Sequence, residues 1–310
     1  MAPAEHVTPD AAIARITDWR SLDISWEALG GGITNHNYVV TVRGRPDLPW
    51  GGKYVLRLPG AGTDAFIDRE HEYQNHRAAA EAGVTPPVLY RLEPEMYTVV
   101  PFIEGETLHR ESLAGDRERL GKVVDVIRTY HGKAVFANEI HIFDEIRGFM
   151  DRALDAGAPL PDDIHWMLGL SVQIEQAMTR DMPRPAACHN DLLSENFILD
   201  AGGRMWVIDW EYGGTNDPYY DLGVFCAENL LSDDEERFVI TRYCGEMDVH
   251  RYARMMLHKL VSDLRWSLWS MIQVRLSKID FDYYDYGMDR VARFRANAGK
   301  PDFPTWLAAV

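Results

Sequence analysis

The sequence predicts an α+β protein of two lobes, a small N-terminal antiparallel sheet with one helix and a larger, mainly helical C-terminal lobe. Short apolar segments typical of strands dominate the chain up to residue 102, and a single long helical stretch, residues 64–82, interrupts them. Beyond Gly105 the apolar residues recur at helical spacing. We therefore expect a boundary in the segment PFIEG, between a lobe of residues 1–103 and a lobe of residues 104–310.

The elements follow from local signals in chain order. Thr8 caps a first helix that has Pro9 at its first position, and Ser232 with Glu235 forms a capping box before a later helix. The predicted strands lie near residues 24–29, 37–42, 53–58, 88–92 and 96–102, and the predicted C-terminal helices near residues 112–138, 162–180 and 249–277.

Length, charge and cysteine content exclude several classes of protein. The 310 residues are enough for two cores, and the formal net charge of −16 disfavours nucleic acid or anionic lipid as a partner. The first ten residues lack a basic start and an apolar stretch, and no run of about 18 apolar residues occurs. Three cysteines without metal-binding spacing argue against a disulfide framework and a zinc site. We expect a cytoplasmic protein, and the sequence leaves its oligomeric state open.

The segment HNDLLSENFILD, followed by MWVIDW, carries the chemistry of phosphoryl transfer to a hydroxyl. Asp191 can orient an attacking hydroxyl and take its proton, while Asn196 and Asp209 can hold Mg²⁺ beside the terminal phosphate of ATP. Such a short motif also arises by chance in loops. Here two apolar segments joined by a turn at residues 200–203 predict a β-hairpin that brings Asn196 and Asp209 together, which favours a kinase.

Four motifs in order resemble the choline and ethanolamine kinase family. They are His189-Asn190-Asp191 with Ile208-Asp209-Trp210-Glu211-Tyr212, then DLGVFCAE (221–228), SDLRWSLWSMIQ (262–273) and IDFDYYDYG (279–287). The wider group includes the aminoglycoside phosphotransferases, which usually have glycine between the histidine and the aspartate, and it shares the two-lobed fold of protein kinases. The resemblance extends from about residue 29 to about residue 295. It implies that ATP binds between the lobes, beside Pro101 and Ile103 at the hinge.

The resemblance also assigns the phosphate side. GGGITNHN, Gly30–Asn37, matches the nucleotide loop, with Gly31, Gly32, Thr34 and Asn35 as its contacts. Arg57 takes the place of the phosphate-pairing lysine of protein kinases. Glu70 is its predicted partner, Glu72 competes for that role, and Lys53 on the same strand face is a second candidate cation. Residues 60–65, GAGTDA, also fit a dinucleotide fingerprint, but the strands before them follow one another without helices, which argues against that fold.

The acceptor side is predicted from aromatic residues at helical spacing. Such stripes usually belong to a core, but the resemblance implies that Trp266, Trp269, Tyr283 and Tyr286 form the walls of a pocket for a quaternary ammonium. Glu228 is then the counter-charge, with an exposed helix charge as the alternative, and Glu211 also falls on the acceptor side. The family usually has another aromatic residue after Glu228, where this chain reads Asn-Leu-Leu.

The resemblance therefore favours choline as the acceptor. Ethanolamine, thiamine or another small cationic alcohol ranks second, and an aminoglycoside third. A catalytically silent kinase-like binding protein is the alternative from another class, and the presence of Asp191, Asn196 and Asp209 argues against it.

Overall fold

The computed structural model describes residues 8–30, 35–45, 48–60, 63 and 66–310. The helices in chain order are α1 (Pro9–Ile13), α2 (Arg69–Glu81), α3 (Arg110–Leu113), α4 (Arg117–Lys133), α5 (Ile142–Asp155), α6 (Ile164–Met178), α7 (Pro218–Glu228), α8 (Asp233–Cys244), α9 (Val249–Leu276), α10 (Tyr283–Ala298) and α11 (Phe303–Ala309). The strands are β1 (Asp23–Leu29), β2 (Asn35–Arg43), β3 (Lys53–Pro59), β4 (Tyr90–Leu92), β5 (Tyr97–Pro101), β6 (Gly105–Thr107), β7 (Ala186–Cys188), β8 (Phe197–Asp200), β9 (Met205–Val207) and β10 (Gly214–Asn216).

The chain forms two compact units. We call Met1–Glu106 with Ile198–Tyr212 the N-terminal unit, and Thr107–Phe197 with Gly213–Val310 the C-terminal unit. From the sequence, residues 198–212 were expected in the second lobe, whereas they belong to the N-terminal unit. The α+β class, with a small antiparallel sheet and a larger helical part, is confirmed.

The N-terminal unit is built on a five-stranded antiparallel sheet in the order β1-β2-β3-β5-β4. Alternate residues of β3 are buried because side chains of a strand point to opposite faces, so Tyr54, Leu56 and Leu58 pack into the core while Arg57 lies on the other face. The antiparallel pairing on both sides of β3 also excludes the parallel sheet that a dinucleotide fold requires.

Helix α2 begins at Arg69, five residues after the predicted start. Asp68 is its N-cap, because one carboxylate oxygen accepts from the backbone N–H groups of Glu70 and His71, both at 3.0 Å. The cap therefore sets which residues of the helix face the sheet.

The predicted hairpin is present as β8 and β9, which join β6 in a second small sheet. The backbone N–H of Val207 donates to the carbonyl of Val84 at 2.9 Å, which ties the hairpin to the N-terminal unit. Gly105 permits a close approach of β6, because a Cβ at this position would lie 2.6 Å from the carbonyl oxygen of Leu199.

Helix α9 is the centre of the C-terminal unit. Every residue from Tyr252 to Ile272 is buried, since α5, α7, α10 and α11 surround the helix on all sides. Asp248 caps its N-terminus. No helix within the described part of the chain is both long and apolar enough to cross a membrane.

Candidate active site

Arg57, on β3, contacts three carboxylates within the N-terminal unit. Its Nη2 atom lies 2.7 Å from Asp209 Oδ1, 2.7 Å from Glu211 Oε2 and 3.3 Å from Glu72 Oε1. Burial alone would lower the pKa of the guanidinium, but the charges of Asp209, Glu72 and Glu211 outweigh it and raise that pKa. Arg57 is therefore a fixed positive charge at the centre of an acidic cluster.

The prediction that Glu70 is the partner of Arg57 was wrong. Glu70 instead accepts from Arg91 Nη2 at 2.6 Å and from Gln74 Nε2 at 2.7 Å, whereas Glu72 faces Arg57. The physical reason is helical geometry, because residues two apart on a helix point to nearly opposite sides and only one of the two can face β3. Arg69 holds Glu72 in place through an Nη1 to Oε2 contact of 2.8 Å.

Glu211 belongs to the same cluster as Arg57, and its predicted place on the acceptor side stays a prediction. It is buried, and Asn35 Nδ2 donates to its Oε2 atom at 2.8 Å. Burial and the nearby charge of Asp209 raise the pKa of Glu211 to about 7, although Arg57 acts in the opposite direction. No local pattern joins Asn35 and Glu211 to Arg57, because these residues meet only through the fold, whereas Glu72 was a candidate partner from its place on the next helix.

The cluster gathers three carboxylates, and Arg57 already neutralises part of their charge. Glu72, Asp209 and Glu211 each offer a carboxylate oxygen, and these oxygens lie within 4.8 Å of one another. Hard oxygen ligands of this kind are those that Mg²⁺ prefers. Asp209 also has a left-handed backbone conformation, with φ of 70°, which is uncommon for a residue with a side chain and clusters at functional sites.

Some of the other predicted nucleotide contacts lie outside the described residues: Gly31, Gly32 and Thr34. The structure describes the rest, of which Asn35 is the first residue of β2. Lys53 lies 3.0 Å from Glu104 and over the ring of Phe102, so its charge is directed to the segment that follows β5. Pro101 is buried opposite Tyr54 at the end of β5, and Ile103 is half-buried two residues later. Their role at a nucleotide hinge stays a prediction.

In the C-terminal unit, the loop that carries Asp191 is held by its backbone. The N–H groups of His189 and Asn190 donate to the two carboxylate oxygens of Asp221, at 2.8 and 2.7 Å. Asn190 has φ of 65°, so the chain turns sharply just before Asp191. Tyr130 Oη donates to Asp221 at 2.6 Å, and His131 Nε2 lies 3.0 Å from it.

Asp221 is a functional residue that the sequence reasoning did not single out. It is fully buried in α7, where burial raises its pKa but the hydrogen bond and charge of His131 outweigh that effect and lower it. The available signal was one carboxylate inside the apolar stretch PYYDLGVFCA, because buried acids are rare unless they are paired.

Asn196 is oriented by the same loop. Its Nδ2 atom donates to the carbonyl of Asp191 at 2.8 Å, so its amide oxygen is the atom that can ligate a metal ion. The side chain is buried within the short helical turn 194–196.

The aromatic residues form a connected cluster in the C-terminal unit. The rings of Trp266 and Trp269 lie 5.7 Å apart, and those of Trp269 and Tyr283 lie 5.8 Å apart, both edge to face. We call these three residues the aromatic cluster. All three are at least 95% buried. Tyr286 lies against Arg290 and meets Phe281 edge to face at 5.6 Å, and Phe281 also packs on Tyr283 at 4.9 Å.

Glu228 is neither an exposed helix charge nor an unoccupied counter-charge. It is 1% exposed and pairs with Arg290 Nη2 and, at 2.7 Å, with Arg293 Nη2. Burial raises the pKa of Glu228, but Arg290 and Arg293 outweigh this and lower it. The sequence could not reveal the pairing, because it joins the last residue of α7 to α10, more than 60 residues later.

Comparison with known proteins identifies the relatives of this chain. A profile described as "Phosphotransferase enzyme family" matches residues 25–253. Protein LicA of Haemophilus influenzae is 28% identical over 273 residues, which is 84% of this chain and 76% of that protein. Probable choline kinase 1 of Arabidopsis thaliana is 26% identical and covers 78% of each chain. The crystal structure of a choline/ethanolamine kinase family protein from Mesorhizobium loti superposes with a TM-score of 0.84, at 30% identity and 96% coverage of each chain.

Proposed function

Because this chain belongs to the phosphotransferase enzyme family, together with the choline and ethanolamine kinases, we propose that it transfers the terminal phosphoryl group of ATP to the hydroxyl of a small cationic alcohol. Choline is the favoured acceptor, and phosphocholine the product. In the reaction the acceptor oxygen bonds to the γ-phosphorus, the bond from that phosphorus to the bridging oxygen breaks, and ADP leaves.

Asp191 is the proposed base. It orients the acceptor hydroxyl and accepts its proton as the oxygen attacks. The fixed conformation of its loop supports this role, since Asp221 holds the backbone on the N-terminal side and Asn196 contacts the carbonyl of Asp191 itself. A base that is already oriented needs little rearrangement when the acceptor binds.

Asn196 and Asp209 are the proposed ligands of Mg²⁺, which neutralises charge on the phosphates when it is bound. Arg57 adds a fixed positive charge that can pair with a phosphate oxygen. The carboxylates around Arg57 support this reading, because they hold the side chain in one position and also offer oxygen ligands.

One observation supports the acceptor assignment above the others. The rings proposed for the acceptor pocket lie together in the unit that carries Asp191, because Phe281 packs on both Tyr283 of the aromatic cluster, at 4.9 Å, and Tyr286, at 5.6 Å. Ring faces attract quaternary ammonium groups without hydrogen bonds.

Ethanolamine is the second candidate because of the segment that follows Glu228. Asn229 is buried and donates to the carbonyl of Phe225 at 2.8 Å, while Leu230 is exposed, so no aromatic residue extends the cluster there. A pocket with fewer ring faces discriminates less strongly in favour of a trimethylated ammonium.

The test is ATP consumption by the purified chain with choline, ethanolamine, thiamine and kanamycin, each with and without Mg²⁺. We expect the highest kcat/KM with choline and none without Mg²⁺. The Asp191→Ala variant is the control for contaminating kinases. Turnover of kanamycin alone would contradict the acceptor class, and no turnover with any acceptor would favour a silent binding protein.

A further inference from the structure

We propose that Glu228 is not the counter-charge of the acceptor but a positioning residue, which acts through Arg290 to fix Tyr286 as one wall of the acceptor pocket. The inference rests on the proposed function, and it gives Arg290 a role in acceptor recognition. Four observations within the C-terminal unit carry it.

The first is that the charge of Glu228 is already satisfied. Arg290 and Arg293 occupy its two carboxylate oxygens, and Arg110 Nη2 lies 3.9 Å from Oε2. Glu228 and Arg290 are 1% and 2% exposed. A buried carboxylate with two arginine partners has little attraction left for a third cation, and releasing it would leave an arginine charge buried and unpaired.

The second observation is that a guanidinium already covers one face of Tyr286. The Cζ atom of Arg290 lies 3.2 Å from the centre of the ring, and Arg290 Nη1 donates to the carbonyl of Tyr286 at 3.1 Å. Arg290 therefore holds both the ring and the backbone of Tyr286. Phe281 also contacts this ring, edge to face at 5.6 Å, so the position of Tyr286 is fixed by two neighbours.

The third observation connects this pair to the chemistry. Burial raises the pKa of the Tyr286 hydroxyl above its ordinary range; the charges of Glu228 and Asp191 add to this effect, and those of Arg290 and Arg293 oppose it. The ring thus lies within the electrostatic influence of both the proposed base and Glu228. A shift of the ring would alter where the acceptor hydroxyl lies relative to Asp191.

The fourth observation is that Glu228 and Arg290 belong to a larger network of buried ion pairs, which Arg293 extends to helix α9. Arg293 Nη2 contacts Asp263 Oδ1 at 2.6 Å, and Asp263 is fully buried in α9. Helices α7, α9 and α10 therefore each contribute an ionisable side chain to one network, in which burial raises the pKa of Asp263 to about 7, and Tyr286 lies at its edge, half-buried.

The two roles of Glu228 differ in how they depend on the charge of the acceptor. A counter-charge acts only on a cation, whereas a positioning residue acts on any molecule that fills the pocket. Choline and 3,3-dimethylbutan-1-ol separate them, because the second alcohol has the same shape and hydroxyl but a carbon in place of the nitrogen. Glu228→Gln and Arg290→Lys are tested with both alcohols, each as a substrate and as a competitor.

We expect both variants to lower kcat/KM for choline by about tenfold, mainly through a higher KM. They should lower kcat/KM for the uncharged alcohol by the same factor, within about twofold. The KM for ATP should not change. A loss confined to choline in Glu228→Gln would overturn the proposal and restore the counter-charge.

Two further measurements keep the test independent of folding and of the acceptor. In a Tyr286→Ala background, neither substitution should cause an additional loss of kcat/KM, and full additivity would contradict positioning through Tyr286.

Asp289→Asn is the matched control, because Asp289 lies 4.0 Å from Arg290 but is exposed. The kcat/KM of this variant should match that of the wild type. If Glu228→Gln does not fold, Arg290→Lys decides the matter, since lysine keeps a cation beside Glu228 and removes the planar group from Tyr286. If the acceptor screen identifies a different cationic alcohol, that alcohol and its carbon analogue replace this pair.

Discussion

At the scale of single residues, the site combines a few side chains with a backbone that is held in place. Asp221 illustrates this, because its carboxylate accepts from the backbone N–H groups of His189 and Asn190, the two residues before the proposed base. Arg57 has the corresponding role in the N-terminal unit, where it fixes three carboxylates around one charge.

The proposed base gives the first prediction. Replacing Asp191 with Ala should lower kcat by about 10² to 10⁴, because the acceptor hydroxyl loses the group that takes its proton. The dissociation constant of ATP should change by less than about twofold, since the interaction lost is made in the transition state. Steady-state kinetics and nucleotide titration measure the two quantities, and near-normal turnover would remove Asp191 from the mechanism.

Asn196 and Asp209 should behave differently from Asp191. Asn196→Ala and Asp209→Ala remove an oxygen ligand, so each should raise the Mg²⁺ concentration required for half-maximal activity by about tenfold or more. Activity is titrated with Mg²⁺ at constant ATP. Ser194→Ala is a suitable control for Asn196, because Ser194 lies in the same short turn and contacts Glu195. An unchanged Mg²⁺ requirement in either alanine variant would contradict the ligand role of that residue.

The aromatic cluster provides a test of binding against packing. Trp269→Ala should weaken the binding of choline by about thirtyfold, because about 2 kcal/mol of cation–π attraction is lost. It should also lower stability by about 3 to 5 kcal/mol, because Trp269 is buried. Trp306→Ala removes an equally buried tryptophan on α11 and is the matched control. Equal falls in melting temperature with an unchanged KM for choline in both variants would assign Trp269 to the core alone.

The sequence identified which residues carry the proposed chemistry better than it identified which residues contact one another. Asp191, Asn196 and Asp209 stand out because their spacing is local, and the structure holds each in a defined conformation. Partners such as Glu72 for Arg57, or Arg290 for Glu228, depend on which face of a helix meets a distant element. Helical periodicity restricts that choice but does not decide it without the other element in place.

At the scale of elements, α7 begins with an electrostatic cap. Asp217 accepts from the backbone N–H of Tyr219 at 2.9 Å, and its other oxygen contacts Arg254 at 2.5 Å and His258 at 3.0 Å. Burial would raise its pKa, but His258 and Arg254 lower it to about 2, from an ordinary value of 3.8. A carboxylate whose pKa falls on folding stabilises the protein above its unfolded pKa, and this stability is lost as the pH falls from about 4 to about 2.

Asp217→Asn keeps the cap but removes the charge. We expect it to lower the free energy of unfolding by about 2 kcal/mol at pH 7, with the difference from the wild type shrinking below about pH 4. Denaturant titrations at pH 7, 5 and 3 measure this. Asp248→Asn, at the cap of α9, is the control with a partly exposed side chain and should cost about 1 kcal/mol or less. A difference that is the same at every pH would contradict the electrostatic cap.

Elements with strong local signals were predicted closely. The helix expected at residues 249–277 is Val249–Leu276, and the strand expected at residues 53–58 is Lys53–Pro59. The helix expected at residues 112–138 is two helices, Arg110–Leu113 and Arg117–Lys133, because Asp116 caps a new start. The assignment of hairpin β8–β9 to the N-terminal unit rests on contacts with Val84 and Gly105, which no local pattern encodes.

At the scale of the whole molecule, the net charge of −16 should affect how a cationic acceptor arrives. We expect the KM for choline to rise about threefold between roughly 0.02 M and 0.5 M salt, because screening weakens long-range attraction. The KM for 3,3-dimethylbutan-1-ol should stay constant over the same range. Initial rates at several salt concentrations test this, and parallel changes for the two alcohols would exclude electrostatic steering.

The two hydrogen bonds from the backbone to Asp221 also have a consequence for which side chains position 190 can accept. The carboxylate of Asp221 holds the backbone N–H of Asn190, and the side chain of Asn190 is held as well: Asn216 Nδ2 donates to its Oδ1 at 2.9 Å, and its Nδ2 donates to the carbonyl of Cys188 at 3.2 Å. That position has a left-handed backbone, which glycine and asparagine adopt more easily than other residues. A glycine at position 190 would therefore keep the left-handed turn before Asp191 but would leave the buried Nδ2 of Asn216 without this acceptor, so the side chain of Asn190 links the loop of the proposed base to β10.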